Sequence, residues 1–141
     1  MRYLFDTNTC SYVINQRKGF ESVTRRMDGL RYGELVLSAI VLAELQFMVV
    51  NSAVPHAKRE QLLRFLLQFH VAPFDDAATL AYGQVRHQLE RRGSPIGPLD
   101  TLIAAHAISM EATIVTNNAR HFRQVPGLAV ENWYTDPRAS A

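Results

Sequence analysis

The sequence predicts an α/β fold, a three-layer α/β/α sandwich around a mainly parallel sheet of about four or five strands. Short apolar runs recur along the chain, and each is followed by a longer segment whose apolar residues have helical spacing. Polar residues stand directly after several of these runs, as they do at the carboxyl edge of an open parallel sheet. A length of 141 residues suits one domain, which we place at 1–134, with a flexible tail over 135–141.

The first predicted strand is Tyr3–Phe5, a short apolar run that Asp6 follows at once. The remaining strands are predicted over 35–37, 71–74, 112–115 and 128–131. Helices are predicted over 9–15, 20–30, 40–50, 55–69, 77–92 and 99–110. Strands that alternate with helices are joined by crossover connections, so the sheet is expected to be parallel.

Capping chemistry gives the helix boundaries. Ser38 is a predicted N-cap, Gly93 is expected to stop a long helix, and Pro98 suits a first helical position. Thr7 and Asn8 carry side chains that are able to cap the helix after the first strand.

The composition is that of an ordinary globular protein, with 48% hydrophobic and 20% charged residues. The net charge of +2 is too small to indicate a nucleic-acid partner by itself. Basic residues cluster in three stretches, which are Arg17, Lys18, Arg25, Arg26 and Arg31, then Arg86, Arg91 and Arg92, then Arg120 and Arg123. A solvated surface explains these clusters as well as an RNA-binding one does.

Cys10 is the single cysteine, which excludes an intrachain disulfide framework and suits a reducing compartment. The N-terminal segment has neither a charged region nor a long apolar run, so we expect no signal peptide. No apolar run approaches the roughly 18 residues of a membrane span. We therefore expect a cytoplasmic protein that does not associate with membranes.

Four polar side chains are expected near one edge of the sheet. Asp6 and Asn118 follow predicted strands, Glu44 lies in an apolar helix where its charge needs a partner, and Asp100 lies in the first turn after Pro98. Simpler roles remain open at this point, because Asp6 would also serve as an N-cap and Asp100 would be favoured by the helix dipole.

Converging oxygen ligands are what a hard divalent cation requires, whereas three carboxylates without a cation would repel one another. The nucleotide-binding, zinc-protease and hydrolase motifs GxxxxGK[ST], GxGxxG, HExxH, CxxC and GxSxG are absent from the sequence. The five histidines show no ligand spacing, and His106, on an apolar helix, is predicted to be a packed core residue.

Four stretches of the sequence form a recognisable set: Phe5-Asp6-Thr7-Asn8, Glu44 in its helix, Pro95-Ile96-Gly97-Pro98-Leu99-Asp100 with Ile103-Ala104-Ala105-His106-Ala107, and Val115-Thr116-Asn117-Asn118-Ala119-Arg120-His121-Phe122. Together they resemble the PIN-domain ribonuclease toxins of the VapC type. Val125-Pro126-Gly127-Leu128 and Glu131-Asn132-Trp133 also match. Each segment is a weak signal alone, but their order and spacing are specific.

The resemblance implies that Asp6, Glu44 and Asp100 are the acidic residues of a Mg²⁺ or Mn²⁺ site. Asn118 stands where many relatives have a fourth Asp, so this chain has one carboxylate fewer. Thr7, Asn8 and Thr116 are then candidates to support the ligands through hydrogen bonds.

The same resemblance implies an endoribonuclease toxin. Its RNA substrate would be a tRNA anticodon loop or a ribosomal RNA loop, with the initiator tRNA as our narrower expectation. A cognate antitoxin of the VapB type would neutralise it, and a homodimer is expected. Phe47, Met48, Val49, Phe65 and Phe69 are predicted to be mainly core residues, with some available for these interfaces.

Two alternatives from other classes stay open. Leu4-Phe5-Asp6-Thr7-Asn8-Thr9 resembles the opening of a haloacid-dehalogenase-like phosphatase, in which Asp6 would be the nucleophile, although Asn8 replaces its second Asp. The other alternative is a non-catalytic module that binds metal or RNA.

Overall fold

The computed structural model describes residues 1–135 and contains a five-stranded sheet in which every pair of neighbouring strands is parallel. The strands are β1 (Tyr3–Phe5), β2 (Leu35–Ser38), β3 (His70–Ala72), β4 (Thr113–Val115) and β5 (Val130–Glu131). The helices in these residues are α1 (Thr7–Ile14), α2 (Phe20–Asp28), α3 (Ala39–Val50), α4 (Pro55–Leu66), α5 (Asp76–Arg92), α6 (Pro98–Ser109) and α7 (Ala119–Phe122). The predicted α/β/α class is confirmed. The predicted tail over 135–141 lies, apart from Thr135, outside the described residues.

Strand β1 lies at the centre of the sheet, whose spatial order is β3-β2-β1-β4-β5. Leu4 and Phe5 are fully buried, which explains why this strand is apolar throughout rather than alternating. The ring of Phe5 packs edge-on against Phe69 and Trp133, with centroid separations of 5.2 and 5.4 Å. The strand order reverses between β1 and β4, and a crevice opens at such a reversal beyond the carboxyl ends of the strands.

Three predicted helix boundaries agree with the structure. Ser38 Oγ accepts a hydrogen bond from the Ile40 N–H at 3.1 Å and so caps α3. Gly93 ends α5 in the left-handed conformation, with φ of 67°, and Pro98 is the first residue of α6.

Other boundaries differ from the prediction. Helix α1 begins at Thr7 rather than Thr9 because Asp6 is its cap, so the prediction that Thr7 or Asn8 caps this helix is wrong. Helix α4 ends at Leu66 rather than residue 69, because the chain turns there and Phe69 enters the core. The short helix α7 was not predicted, since four residues are too few for an apolar period.

The predicted core histidine is confirmed. His106 is only 1% exposed, its Nδ1 lies 2.7 Å from Ser38 Oγ, and its ring packs edge-on against Phe74. Burial lowers the pKa of His106, so the neutral imidazole is favoured. This contact ties the start of α3 to α6.

The apolar residues of α3 and α4 divide between core and surface. Val49, Phe65 and Phe69 are buried, whereas the Phe47 side chain is 65% exposed and Met48 is 38% exposed. Within residues 1–135, no helix has the length and apolar character needed to cross a membrane.

Replacing Ser38 with Ala removes the α3 cap and one hydrogen-bond partner of the buried His106. We expect the free energy of unfolding to fall by roughly 1–3 kcal/mol, measured by chemical denaturation. Ser52→Ala is the control, because Ser52 Oγ accepts the Val54 N–H in an exposed turn and should change stability by less than about 0.5 kcal/mol. Equal losses in the two variants would contradict a structural role for the buried pair.

Candidate active site

Asp6 and Thr116 lie side by side beyond the ends of the two central strands. Phe5 of β1 is in register with Val115 of β4, and the Asp6 N–H donates to the Val115 carbonyl at 3.2 Å. The Thr116 hydroxyl then donates to Asp6 Oδ2 at 2.7 Å. The parallel pairing of β1 with β4 therefore places a carboxylate in the crevice where the strand order reverses.

The Asp6 side chain is only 3% exposed. Its Oδ1 accepts the Thr9 N–H at 2.9 Å, so the residue caps α1 as well as occupying the site. Burial raises the pKa of Asp6, and the hydrogen bonds from Thr9 and Thr116 oppose that rise without cancelling it. A nearby cation would favour the charged form of this carboxylate.

Glu44 is half-buried on α3 and has the partner that its apolar surroundings require. The Thr7 hydroxyl donates to Glu44 Oε1 at 2.6 Å. Thr7 follows Asp6 directly, so this bond joins the start of α1 to the middle of α3.

Asp100 lies in the first turn of α6, with its side chain 38% exposed. Its Oδ2 is 3.0 Å from Nε2 of His121, a residue of α7. Burial raises the pKa of Asp100, the charge and hydrogen bond of His121 lower it, and the charge of Glu44 raises it again.

Hydrogen bonds link the segments that carry the three carboxylates, because Thr7, next to Asp6, bonds Glu44, and the segment 116–121 bonds Asp6 at one end and Asp100 at the other. The charge of Asp100 raises the pKa of Asp6, and the charge of Glu44 raises that of Asp100. Within residues 1–135, no three Asp, Glu, His or Cys side chains close around a common point as a ready-made ion cage. Mg²⁺ does not need such a cage, because it commonly binds through one or two carboxylates together with waters and substrate phosphates. The all-oxygen donor set fits such an ion.

Asn118 joins this region mainly through its backbone. Its N–H donates to Thr116 Oγ1 at 2.9 Å, while its side chain is exposed and forms no cap for α7. Of the three predicted supporting residues, Thr7 and Thr116 hydrogen-bond site carboxylates, and Asn8 is exposed in the first turn of α1.

His121 is the site residue that the sequence reasoning missed. Histidine spacing gave no signal, because its contacts are to Asp100 and to the Ile96 carbonyl, 21 and 25 positions away in the chain. A polar residue three positions after Asn118, in a segment that follows a strand end, was the available signal.

Comparison with known proteins agrees with this geometry. The PIN domain family matches residues 3–128. Ribonuclease VapC2 of Rickettsia felis is 40% identical over 134 residues, covering 94% of this chain and 98% of the relative. The tRNA(fMet)-specific endonuclease VapC of Salmonella typhimurium is 34% identical, with the same shares covered.

The chain is a PIN-domain protein of the VapC family.

Solved structures of this family share the fold. VapBC2 from Rickettsia felis, bound to a DNA fragment from its promoter, matches with a TM-score of 0.86 and 37% identity, covering 94% of this chain and 99% of the other. DNA-bound VapBC from Salmonella typhimurium matches with a TM-score of 0.88 and 34% identity, covering 94% and 98%. These matches support the PIN-domain assignment and give no support to the dehalogenase-like phosphatase alternative.

Asp6→Asn should stabilise the metal-free protein at neutral pH. Because folding raises the pKa of Asp6, its proton is held more tightly in the folded state, and stability is lost as pH rises through the folded pKa. Asn caps helices as well as Asp does, so the variant should melt above the wild type in EDTA at neutral pH. This advantage should shrink as the pH falls and Asp6 becomes protonated.

Asp28→Asn is the control for this measurement, because Asp28 is an exposed carboxylate at the end of α2. A metal-free Asp6→Asn protein that melts below the wild type at neutral pH would contradict the cost assigned to the buried charge.

Proposed function

We propose that this protein is a divalent-metal-dependent endoribonuclease toxin that acts in the cytoplasm and is neutralised by a small antitoxin of the VapB type. The observation that carries the proposal is the convergence of Asp6, Glu44 and Asp100 beyond the central strands of a VapC-family domain. Relatives along nearly the whole chain are named ribonucleases, and two are named tRNA(fMet)-specific endonucleases.

Asp6 and Asp100 are the proposed principal ligands of Mg²⁺ or Mn²⁺, with Glu44 completing the set. When bound in such a site, either ion activates a water for attack on a phosphodiester and neutralises charge on the phosphoryl oxygens. Hydrogen bonds from Thr9 and Thr116 orient both oxygens of Asp6, and the hydroxyl of Thr7 orients one oxygen of Glu44.

Glu44 has a second proposed task, because it is half-buried and its Oε1 is held by Thr7. A carboxylate fixed in this way can orient an attacking water or accept its proton. Asn118 contributes at most a neutral amide oxygen, which is a candidate ligand for a second ion when substrate is present.

The proposed substrate is a single-stranded loop in a folded RNA, since sequence-specific RNA recognition mostly targets unpaired bases. The anticodon loop of the initiator tRNA is the narrowest candidate, and a ribosomal RNA loop is the wider one. Arg120 is exposed on α7, Arg123 is exposed directly after it, and both are the proposed contacts to the RNA backbone. Cleavage should therefore weaken as salt rises.

The proposed antitoxin surface is the apolar groove between α1, α3 and α4. It has a volume of about 200 Å³, and its lining includes Ile14, Leu45, Met48 and Leu62, of which Met48 is 38% exposed. The neighbouring solved structures are VapBC complexes, which favours a VapB-type protein as the occupant. A homodimer of this chain is also proposed, and its interface would use exposed apolar residues outside that groove.

Asp6→Asn and Asp100→Asn should each reduce RNA cleavage by about a hundredfold or more. Each change keeps the side-chain size but removes one negative charge from the metal ligands, and metal stabilisation of the transition state is worth several kcal/mol. The measurement is cleavage of a panel of folded RNAs, including initiator tRNA, with Mg²⁺, Mn²⁺ or EDTA. Asp28→Asn should cleave like the wild type.

Activity that persists in EDTA, or in a well-folded Asp100→Asn protein, would exclude this mechanism. A wild-type chain that binds Mn²⁺ but cleaves none of the RNAs would instead favour the non-catalytic binding module.

Expression of the chain alone should arrest growth, and sequencing of new RNA 5′ ends soon after induction should identify the cleaved RNA. Co-expression with a VapB-type partner should relieve the arrest, and the partner should co-purify with the tagged chain. Met48→Glu places a charge in the lining of the apolar groove and should weaken the co-purification while leaving RNA cleavage intact. Arrest by the Asp100→Asn variant at equal protein level would show that toxicity does not depend on cleavage.

A further inference from the structure

His121 occupies a position between two segments that carry site residues. Its Nε2 lies 2.9 Å from the Ile96 carbonyl oxygen and 3.0 Å from Asp100 Oδ2. Because a carbonyl oxygen only accepts hydrogen bonds, Nε2 must carry a hydrogen, which it shares between the two acceptors.

The two acceptors belong to the start of the same helix. Ile96 is 5% exposed and precedes Gly97, whose carbonyl accepts the N–H and the hydroxyl of Thr101 in α6. The Ile96 carbonyl is therefore held in a fixed position, and it restrains a side chain that is hydrogen-bonded to it. Asp100 itself is less constrained, since its side chain is 38% exposed.

Helix α7, which carries His121, is tied to the other principal carboxylate as well. The Asn118 N–H binds Thr116 Oγ1, and the Thr116 hydroxyl binds Asp6 Oδ2. One short segment thus contacts Asp6 at one end and Asp100 at the other. The separation of the two carboxylates depends on this segment.

We propose that His121 is a positioning residue, which uses the Ile96 carbonyl as an anchor to hold the Asp100 carboxylate in the orientation that binds the metal ion. The proposal rests on the proposed metal-dependent function. His121 occupies one oxygen of Asp100 and limits rotation of the carboxylate, so the other oxygen is presented in one direction. Partners that orient metal ligands in this way commonly change metal affinity by roughly 10–100-fold when they are removed.

Two substitutions separate the hydrogen bond from the packing of the ring. His121→Phe keeps an aromatic ring against Phe122, which the imidazole now contacts edge-on, but it removes the donor. His121→Gln loses the ring but places an amide N–H near the position of Nε2. His56→Phe is the matched control, since His56 also faces a carboxylate, Glu60, on the exposed side of α4.

The experiment measures Mn²⁺ binding to the full chain by titration calorimetry, together with the Mg²⁺ concentration for half-maximal RNA cleavage and the melting temperature without metal. We expect His121→Phe to weaken Mn²⁺ binding by about tenfold or more and to raise the Mg²⁺ requirement in parallel. His121→Gln should recover most of the affinity, and His56→Phe should bind Mn²⁺ like the wild type. If the ring acts only through packing, His121→Phe should bind Mn²⁺ like the wild type and His121→Gln should bind it more weakly.

Mn²⁺ binding by His121→Phe at wild-type affinity would overturn the proposal, as would equal losses in the Phe and Gln variants when both melt like the wild type. If the variants rank as expected but the wild type cleaves no RNA, the ribonuclease function fails while the positioning role stands. A wild-type chain that binds no Mn²⁺ would overturn both.

Discussion

A buried carboxylate at the end of a central strand is stable only when hydrogen-bond donors meet it, and Asp6 draws its donors from two different elements. The Thr9 N–H comes from the helix that follows β1, and the Thr116 hydroxyl comes from the end of the neighbouring β4. The Thr116 hydroxyl is in place only when β1 and β4 pair in the observed register, whereas the Thr9 N–H is a local cap contact within the start of α1. Formation of the site is therefore a consequence of the central strand pairing, and the other carboxylates are arranged around Asp6.

Helix starts supply the second part of this environment. Helix α1 begins directly after Asp6, helix α3 begins directly after Ser38, and helix α6 begins two residues before Asp100. The first turn of a helix carries partial positive charge. The raised pKa values of Asp6 and Asp100 come mainly from burial, with a smaller contribution from the charge of a neighbouring carboxylate. Positive charge at this edge of the sheet would therefore stabilise the ionised carboxylates, and a divalent ion would supply it.

Local chemistry explains which parts of this arrangement the sequence could reveal. Ser38, Gly93 and Pro98 act within one turn of their own position, so their boundaries were predictable to within a residue. The place of Asp6 directly after a strand predicted a site residue, with an N-cap as the alternative role, and the structure shows the cap. Its burial and its hydrogen bond from Thr116 depend on β4 lying beside it. The role of His121 could not be predicted for the same reason. Its contacts are to the Ile96 carbonyl and the Asp100 carboxylate, which come close to it only after the chain has passed through α6 and β4.

Asn118 places an amide rather than a further carboxylate in the segment that follows β4. Residues 117–124 include Arg120, His121 and Arg123 and no acidic residue, so the carboxylates come from α1, α3 and α6 while α7 contributes neutral and basic groups. A phosphodiester entering such a site meets less repulsion beside α7 than it would beside a fourth carboxylate. In the proposed site, Asp6 and Asp100 would hold an ion without an acidic residue from α7, and the hydrogen bonds from Thr116 and His121 would orient them.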